Sequence, residues 1–362
     1  MSVDLAANIN TVDTPVLWLD LDAFESNVER MYALCKKHNV LWRPHVKASK
    51  SPQLAHKLLT GGAHGITCAK VSEAEAMVDG GIKDILIANE IIGSKKISRL
   101  MTVAKQAHVC VACDDATNIQ EISAAAENAG VEIDILVDIN VGANRCGVTP
   151  EQAVNLAQLV EDLPSVRLRG LMGYEGHVMG MQSEDKEAES KAAADILKEA
   201  RTQLDAVGLA PEICSGGGSG NYWHAASLGS INELQAGGGA LMDISYQELM
   251  KVPDHRYALF INAQVISKAV SGRVILDAGW KTTGRHTGLP SIVSHEGMEV
   301  ISLNAEHTIV AVDDDVNLKH GDRVTLVPHY SDSTVLLHRE MYAVRNNFVE
   351  EIWPITGAGA LQ

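Results

Sequence analysis

Aromatic side chains are scarce in this 362-residue chain: three Phe, five Trp and seven Tyr make up 4% of it. Because 46% of the residues are nonetheless hydrophobic, the core must be aliphatic, built on Ala, Val, Ile and Leu. Positive charge is also short. Thirty Lys and Arg stand against 46 Asp and Glu, a formal net charge of −16. That argues against nucleic acid or an anionic membrane surface as a partner, while leaving room for a small anion in a locally basic pocket. No uninterrupted apolar run approaches the ~18 residues that span a bilayer. The opening MSVDLAANINTVDTP has neither a basic start nor an apolar h-region, so no secretory leader is predicted. Cysteine is thinly scattered, at Cys35, Cys68, Cys110, Cys113, Cys146 and Cys214. The one CxxC, Cys110 and Cys113, lies inside the apolar run HVCVACD, where buried strand thiols are expected rather than a redox or zinc pair. A reducing, cytoplasmic compartment fits this usage.

What is present has a rhythm. Short apolar runs occupy 40–47, 65–70, 84–90, 108–114, 133–140, 166–176, 211–218 and 231–239. Ala-rich amphipathic stretches alternate with them, and those at 72–81, 118–130 and 186–208 each end in glycine, as helix C-caps favour. Near-continuous apolar strands alternating with helices predict a parallel sheet covered by helices. Eight such units in about 220 residues match a (β/α)8 TIM-type barrel better than an open doubly wound sheet. No G-x-G-x-x-G follows the first strand, which weakens a dinucleotide-binding alternative. Beyond residue 245 the pattern changes to short strands with Gly, Asn and Asp turns, such as RVILDAG and RVTLVPH. The expected organisation is therefore a barrel over 26–245 followed by a C-terminal β domain over 246–362. The strand within 1–25 pairs with that β domain, and the helix after it is capped by Asp22 or Ser26.

Functional groups of such a barrel gather at the C-terminal ends of its strands. Those ends carry His45 and Lys47, then Asp138 and Asn140 followed by GANRCG with Arg145, then Tyr174, Glu175 and His177, then SGGGSG at 215–220, and finally Gln235 ahead of AGGG. The SGGGSG segment offers backbone N–H groups and two hydroxyls, Ser215 and Ser219, a composition that cradles phosphate where barrels commonly bind it. In LWRPHVKASKS (41–51), a half-buried lysine close behind Arg43 and His45 would have its charged form disfavoured and act as a neutral amine. The bland alternatives are a solvated lysine and a tight turn. A strand-end lysine facing a phosphate cradle points to pyridoxal 5'-phosphate, which takes an amine for its Schiff base and backbone donors for its phosphate.

RPHVKASKS resembles the RPHxKxHK segment of D-threonine aldolases and eukaryotic-type D-serine dehydratases, fold-type III pyridoxal-phosphate enzymes related to alanine racemase. DTPVLWLDLDAFESNV, GITCAKVSEAE, NRCGV, GLMGYEGH, SGGGSG, ELQAGGGALMD, VILDAGWK and VEEIWPI extend the likeness in order along most of the chain. The resemblance implies a cofactor-binding barrel plus a β domain, usually as a homodimer. It matches Lys47 to the Schiff-base lysine, Arg145 to the arginine near the cofactor's phenolic oxygen, and Tyr174 to the pocket. It matches Gly217, Gly218 and Ser219 to the phosphate loop and places His45 beside the cofactor. Ser215 and Gln235 join the cofactor-binding candidates, and His45 and His177 are candidate proton carriers.

The family also carries a His-x-Cys or His-x-Asp pair in a PxHxC/DxT segment that binds a divalent ion, zinc with Cys and a harder ion such as Mn²⁺ or Mg²⁺ with Asp. Here VPHYSDSTV places Asp332 at the acid position, Tyr330 at the histidine position and His329 one residue early. On a strand, adjacent residues face opposite sides, so His329 would need a bulge to serve. His307 and His338 are the alternative recruits, and a metal-free enzyme is the other possibility. The implied activity is lyase cleavage of a small β-hydroxy-D-amino acid to glycine and an aldehyde. The rivals are a dehydratase of the D-serine or 3-hydroxyaspartate type, a metal-independent racemase, and a non-catalytic pyridoxal-phosphate carrier, against which the β domain argues.

Overall fold

The structure is a computed structural model that describes residues 6–181 and 183–362. The chain divides into two compact units. One holds Met31–Lys47, Ala55–Gly237 and Ala360–Gln362; the other holds the described residues up to Arg30, Ala48–Leu54 and Gly238–Gly359.

Secondary structure opens with β1 (Val16–Asp20) and α1 (Leu21–His38) and then alternates: β2 (Leu41–Trp42), α2 (Pro52–Thr60), β3 (Ile66–Cys68), α3 (Val71–Asp79), β4 (Asp84–Ile87), α4 (Ser94–Ala104), β5 (His108–Cys113), α5 (Ala116–Ala129), β6 (Ile133–Asp138), α6 (Pro150–Asp162), β7 (Val166–Gly173), α7 (Ser183–Ala206), β8 (Ile213–Gly216), α8 (Tyr222–Ser227) and β9 (Glu233–Leu234). Strands β2 to β9 are all parallel, in the order β2-β9-β8-β7-β6-β5-β4-β3. A single parallel bridge, His45 to Thr67, joins the two ends of that order and closes the (β/α)8 TIM-type barrel. The strands are near-continuously apolar because helices cover one face and the barrel core the other; all six residues of β6 are buried. Local sequence sets the helix ends. Asp115 accepts the Asn118 N–H and Gly130 closes α5 at φ +67°, while Thr149, Pro150 and Gln152 form a capping box on α6. Cys110 and Cys113 lie buried in β5 as free thiols, both pushed up by burial.

Three local expectations are corrected. The first barrel strand stops at Trp42 rather than continuing to residue 47, because Pro44 has no N–H to donate and Val46–Ala48 coil into a 3₁₀ turn. The cap of α1 is Asp20, whose carboxylate accepts the Ala23 N–H at 3.0 Å, rather than Asp22 or Ser26. The VPHYSD segment is not strand throughout, as its following elements show.

The second unit contains β10 (Leu259–Val270), β11 (Arg273–Leu276), α9 (Trp280–Thr283), β12 (Ser291–Ile292), β13 (Met298–Leu303), β14 (Thr308–Val312), β15 (Arg323–Val327), α10 (Ser331–Val335), β16 (Glu340–Arg345) and β17 (Phe348–Pro354). Its mostly antiparallel sheet runs β13-β14-β11-β10-β1-β16-β17, with β15 pairing β10 and β12. The N-terminal strand β1 is antiparallel to β10 and parallel to β16, and Trp18 stacks on Phe260 at 4.7 Å between ring centroids. Strand β15 ends at Val327 and Asp332 already lies in α10, so alternation of side chains along a strand does not govern residues 329–332.

Candidate active site

In the barrel, Lys47 sits just past the C-terminal end of β2, half-buried in the 3₁₀ turn. Its N–H lies 3.3 Å from His45 Nδ1. The His45 N–H donates to the Gln235 carbonyl at 2.9 Å, and Gln235 Nε2 donates to Ser215 Oγ at 3.0 Å. Strands β2 and β8 flank β9, so their ends are about 10 Å apart at ordinary strand spacing. Gly237 makes this closeness possible: a Cβ there would stand 2.3 Å from the His45 carbonyl oxygen.

Arg43 does not press on Lys47 as expected. Its Nε bonds Glu233 at 2.7 Å and its NH1 bonds Asp84 at 2.5 Å, and these acids begin β9 and β4. The guanidinium is thus committed to the opposite end of the strands, where His108 also bridges toward Asp84 and Asp134, and Arg167 pairs Asp134. Burial would raise the Glu233 carboxyl, but His64, Arg43 and Ser215 outweigh it and hold it at about 2.

The glycine loop follows β8. Gly217 takes φ +78°, and its N–H donates to Glu175 Oε2 at 3.1 Å. The Gly218 N–H donates to Asn221 Oδ1 at 3.1 Å, and Asn221 Nδ2 returns to Glu175 Oε1 at 3.0 Å. A Cβ on Gly218 would meet Met179 Sδ at 2.9 Å and the Tyr174 ring at 3.0 Å. The Gly217 and Gly218 N–H groups are therefore taken by protein acceptors, and the Ser215 hydroxyl is given to Glu233 at 2.7 Å. Glu175 and Asn221, which frame the loop, were not among the sequence candidates. Burial raises the Glu175 carboxyl despite these donors.

Across the barrel end, Arg145 lies over the Tyr174 ring at 5.4 Å. It stands on the loop after β6 that Asn140 shapes by accepting the Gly142 and Asn144 N–H groups at 3.1 Å. Asp138 is pushed up to about 8 by burial and then by the Glu90 carboxylate, against the pull of Arg145. His177 is half-buried on a short turn after β7, with Nδ1 buried and without a hydrogen-bond partner. Thus Lys47, His45, Gln235, Ser215, the glycine loop, Tyr174, His177 and Arg145 all belong to the C-terminal ends of the parallel strands. The amine, the backbone-donor loop and the arginine-capped phenol ring fit a phosphorylated pyridine aldehyde.

The metal expectation fares differently. In the second unit His329 Nδ1 lies 2.8 Å from Thr287 Oγ1 and 3.0 Å from Ser245 Oγ. Its ring covers Gly288, where a Cβ would be 2.3 Å from the imidazole, and burial lowers its pKa. His338 Nε2 is 2.8 Å from the Thr282 carbonyl, and His307 lies in the β13–β14 turn. Tyr330 stands between His329 and Asp332, within 6.1 Å of Tyr246 and 5.8 Å of His286 by ring centroids. This donor set does not fit a His-x-Asp clamp. Among the described residues, the group of three with metal-compatible spacing is elsewhere, at Glu90, Asp114 and Cys146.

Comparison with known proteins agrees with the barrel and its appended sheet. Residues 19–243 match the alanine racemase N-terminal domain, and residues 258–344 match a putative serine dehydratase domain. A 3-hydroxy-D-aspartate aldolase of Paracoccus denitrificans (strain Pd 1222) is 40% identical over 361 residues, covering 96% of this chain and 92% of the relative. A D-threonine aldolase of an Arthrobacter species is 40% identical over 353 residues, covering 96% and 93%. The crystal structure of D-threonine aldolase from Filomicrobium marinum superposes with a TM-score of 0.96 at 36% identity, covering 99% of this chain and all of that one. Dehydratase relatives are more distant. A barrel of parallel strands followed by this sheet is the fold shared with the superposed aldolase, and the chain belongs to the alanine-racemase-like fold-type III family, in the group of D-threonine and 3-hydroxy-D-aspartate aldolases.

Proposed function

We propose that the chain is a pyridoxal-phosphate-dependent lyase that cleaves the Cα–Cβ bond of β-hydroxy-D-amino acids, releasing glycine and an aldehyde. D-Threonine and 3-hydroxy-D-aspartate, named for the relatives, are the first substrates to try. In this reading residues 26–245 form the cofactor domain, 246–362 with the strand from 1–25 form the β domain, and the enzyme works as a cytoplasmic homodimer on a small amino acid. The observation that carries the proposal is the position of Lys47, half-buried past the end of β2 and two strands from the glycine loop.

Pyridoxal phosphate, held at rest by Lys47, would supply an electron sink for the pair released when the substrate's bond to Cβ breaks. The residues of the chain do the rest. Lys47 anchors the aldehyde carbon. The glycine loop through Ser219 and Gly220 would hold the phosphate, with Gly217 and Gly218 braced by Glu175 and Asn221. Tyr174 and Arg145 cover the ring and its phenolic oxygen. His177, whose Nδ1 is buried without a partner, takes the β-hydroxyl proton, and His45 fixes the Lys47 turn. No step is assigned to a divalent ion, because Tyr330 stands where a His-x-Asp pair has its histidine, and His329 Nδ1 is engaged by Thr287 and Ser245.

A second reading is elimination of the β-hydroxyl, favoured by the match of residues 258–344 to a putative serine dehydratase domain. Incubation with D-threonine and 3-hydroxy-D-aspartate decides: glycine plus aldehyde supports the lyase, whereas ammonia plus a 2-oxo acid supports elimination. Borohydride reduction followed by peptide mapping should place a pyridoxyl group on Lys47; label elsewhere, or none, overturns both.

A further inference from the structure

We infer that Lys186 is a positioning residue for the phosphate end of the site: anchored on the Gly220 carbonyl, its buried ammonium holds the last turn of the SGGGSG loop and supplies the positive charge behind it. The inference rests on the pyridoxal-phosphate reading above.

Helix α7 places Lys186 and Ser190 one turn apart, on the same face, 2% and 1% exposed. Lys186 Nζ donates to the Gly220 carbonyl at 2.9 Å and to the Met179 carbonyl at 3.0 Å, and lies 5.6 Å from the centre of the Trp223 ring. Ser190 Oγ accepts from Asn221 Nδ2 at 3.3 Å. The helix therefore grips two consecutive loop residues. Asn221 passes that grip back along the loop, because its Oδ1 receives the Gly218 N–H and its own N–H donates to the Gly218 carbonyl at 3.1 Å. Met179, whose carbonyl also accepts from Lys186, is the residue whose sulfur limits the space at Gly218.

Charge gives this arrangement its purpose. Phosphate loops usually draw on free N–H groups and on the dipole of a following helix. Here Gly217 and Gly218 have given their N–H groups to Glu175 and Asn221, and α8 is only six residues long. A carboxyl group, Glu175, stands directly behind the loop. An anion at the loop needs compensation from a cation, and Lys186 is a buried cation bonded to the loop itself. Burial lowers its pKa to about 8, which still leaves it protonated at neutral pH.

The test separates phosphate recognition from general folding. Enzyme stripped of vitamer is dialysed to equilibrium against pyridoxal 5'-phosphate and, separately, against pyridoxal, which lacks the phosphate. In Lys186→Met the affinity for the phosphate ester should fall at least tenfold while that for pyridoxal stays within twofold. Lys186→Gln keeps a donor for Gly220 without the charge, and the preference should fall at least threefold; this variant carries the test if Lys186→Met does not fold. Equal losses for both vitamers, or an unchanged preference in Lys186→Gln, overturn the inference while leaving the cofactor reading intact. A wild-type protein that binds neither vitamer overturns both.

Discussion

Replacing Glu233 with Gln should unsettle the barrel from beneath its mouth. This carboxylate is 2% exposed and receives Arg43 Nε at 2.7 Å and Ser215 Oγ at 2.7 Å, with His64 Nε2 at 2.9 Å. A carboxyl held at about 2 in the folded barrel rather than at the usual 4.5 is worth roughly 3 kcal/mol at neutral pH. Deleting one partner of a buried pair gives a similar figure, about 3–5 kcal/mol, because Arg43 is left buried beside a neutral amide. At about 2–4 °C per kcal/mol, about 3 kcal/mol should lower the Tm by about 6–12 °C. Calorimetry at neutral pH measures this, and a scan into acid checks the sign. A depressed carboxyl stabilises fully above its unfolded pKa of 4.5 and loses that contribution as pH falls through about 2. The gap between wild type and Glu233→Gln should therefore close in acid. A neutral-pH change below about 1 °C, or a gap that widens in acid, refutes the reasoning. Replacing Arg43 and Glu233 together with Met should recover part of the loss, because the buried guanidinium goes with its buried carboxylate, while Asp84, which also loses Arg43, is part-exposed and keeps His108.

Other expectations follow from the same geometry. Lys47→Ala should abolish turnover by at least about a thousandfold and remove the borohydride-fixed pyridoxyl group, with unchanged circular dichroism. Gly237→Ala drives a methyl to within 2.3 Å of the His45 carbonyl, so vitamer affinity should drop at least tenfold by dialysis, and an unaltered affinity would show that the Lys47 turn tolerates the shift. His108 is raised to about 9 by its hydrogen bonds to Asp134 and then Asp84; its stabilisation is complete below pH 6.5 and lost as pH rises through about 9. His108→Gln should accordingly flatten the alkaline limb of a Tm–pH curve. Exhaustive chelation should lower activity less than twofold if residues 329–332 hold no ion, whereas a tenfold loss reversed by Mn²⁺ would show a metal that these side chains do not explain.

Much of this was legible in the chain. The eight apolar runs fell on the eight barrel strands because most of them are buried on both faces and so carry a continuous apolar signature, as β6 does. Lys47 and SGGGSG stood out because strand ends and glycine runs are local features. What could not be read depends on residues far apart in sequence. Arg43 looked like a neighbour of Lys47, yet its partner Glu233 lies 190 positions away and turns the guanidinium to the other end of the strand. The glycine N–H groups looked available until Glu175 and Asn221 were brought against them. Lys186 was only the first residue of the amphipathic stretch 186–208, and packing alone shows its ammonium buried at the loop. At 329–332 a strand was assumed where the chain turns into α10, since a short Ser/Asp/Thr segment gives little local preference.

The ring of strands is fastened unevenly. Between β2 and β3 it is held by the His45–Thr67 bridge, with the Thr67 N–H on the Pro44 carbonyl and the Thr67 hydroxyl on the Arg43 carbonyl, whereas β6 and β7 share a full ladder. Breathing of the cylinder should begin at this seam, where the fewest backbone bonds must part. The amides of His64 and Thr67, which donate across it to the Trp42 and Pro44 carbonyls, should then trade deuterium well ahead of those in β5, β6 and β7, so that the stave nearest the reactive amine is also the loosest in the hoop.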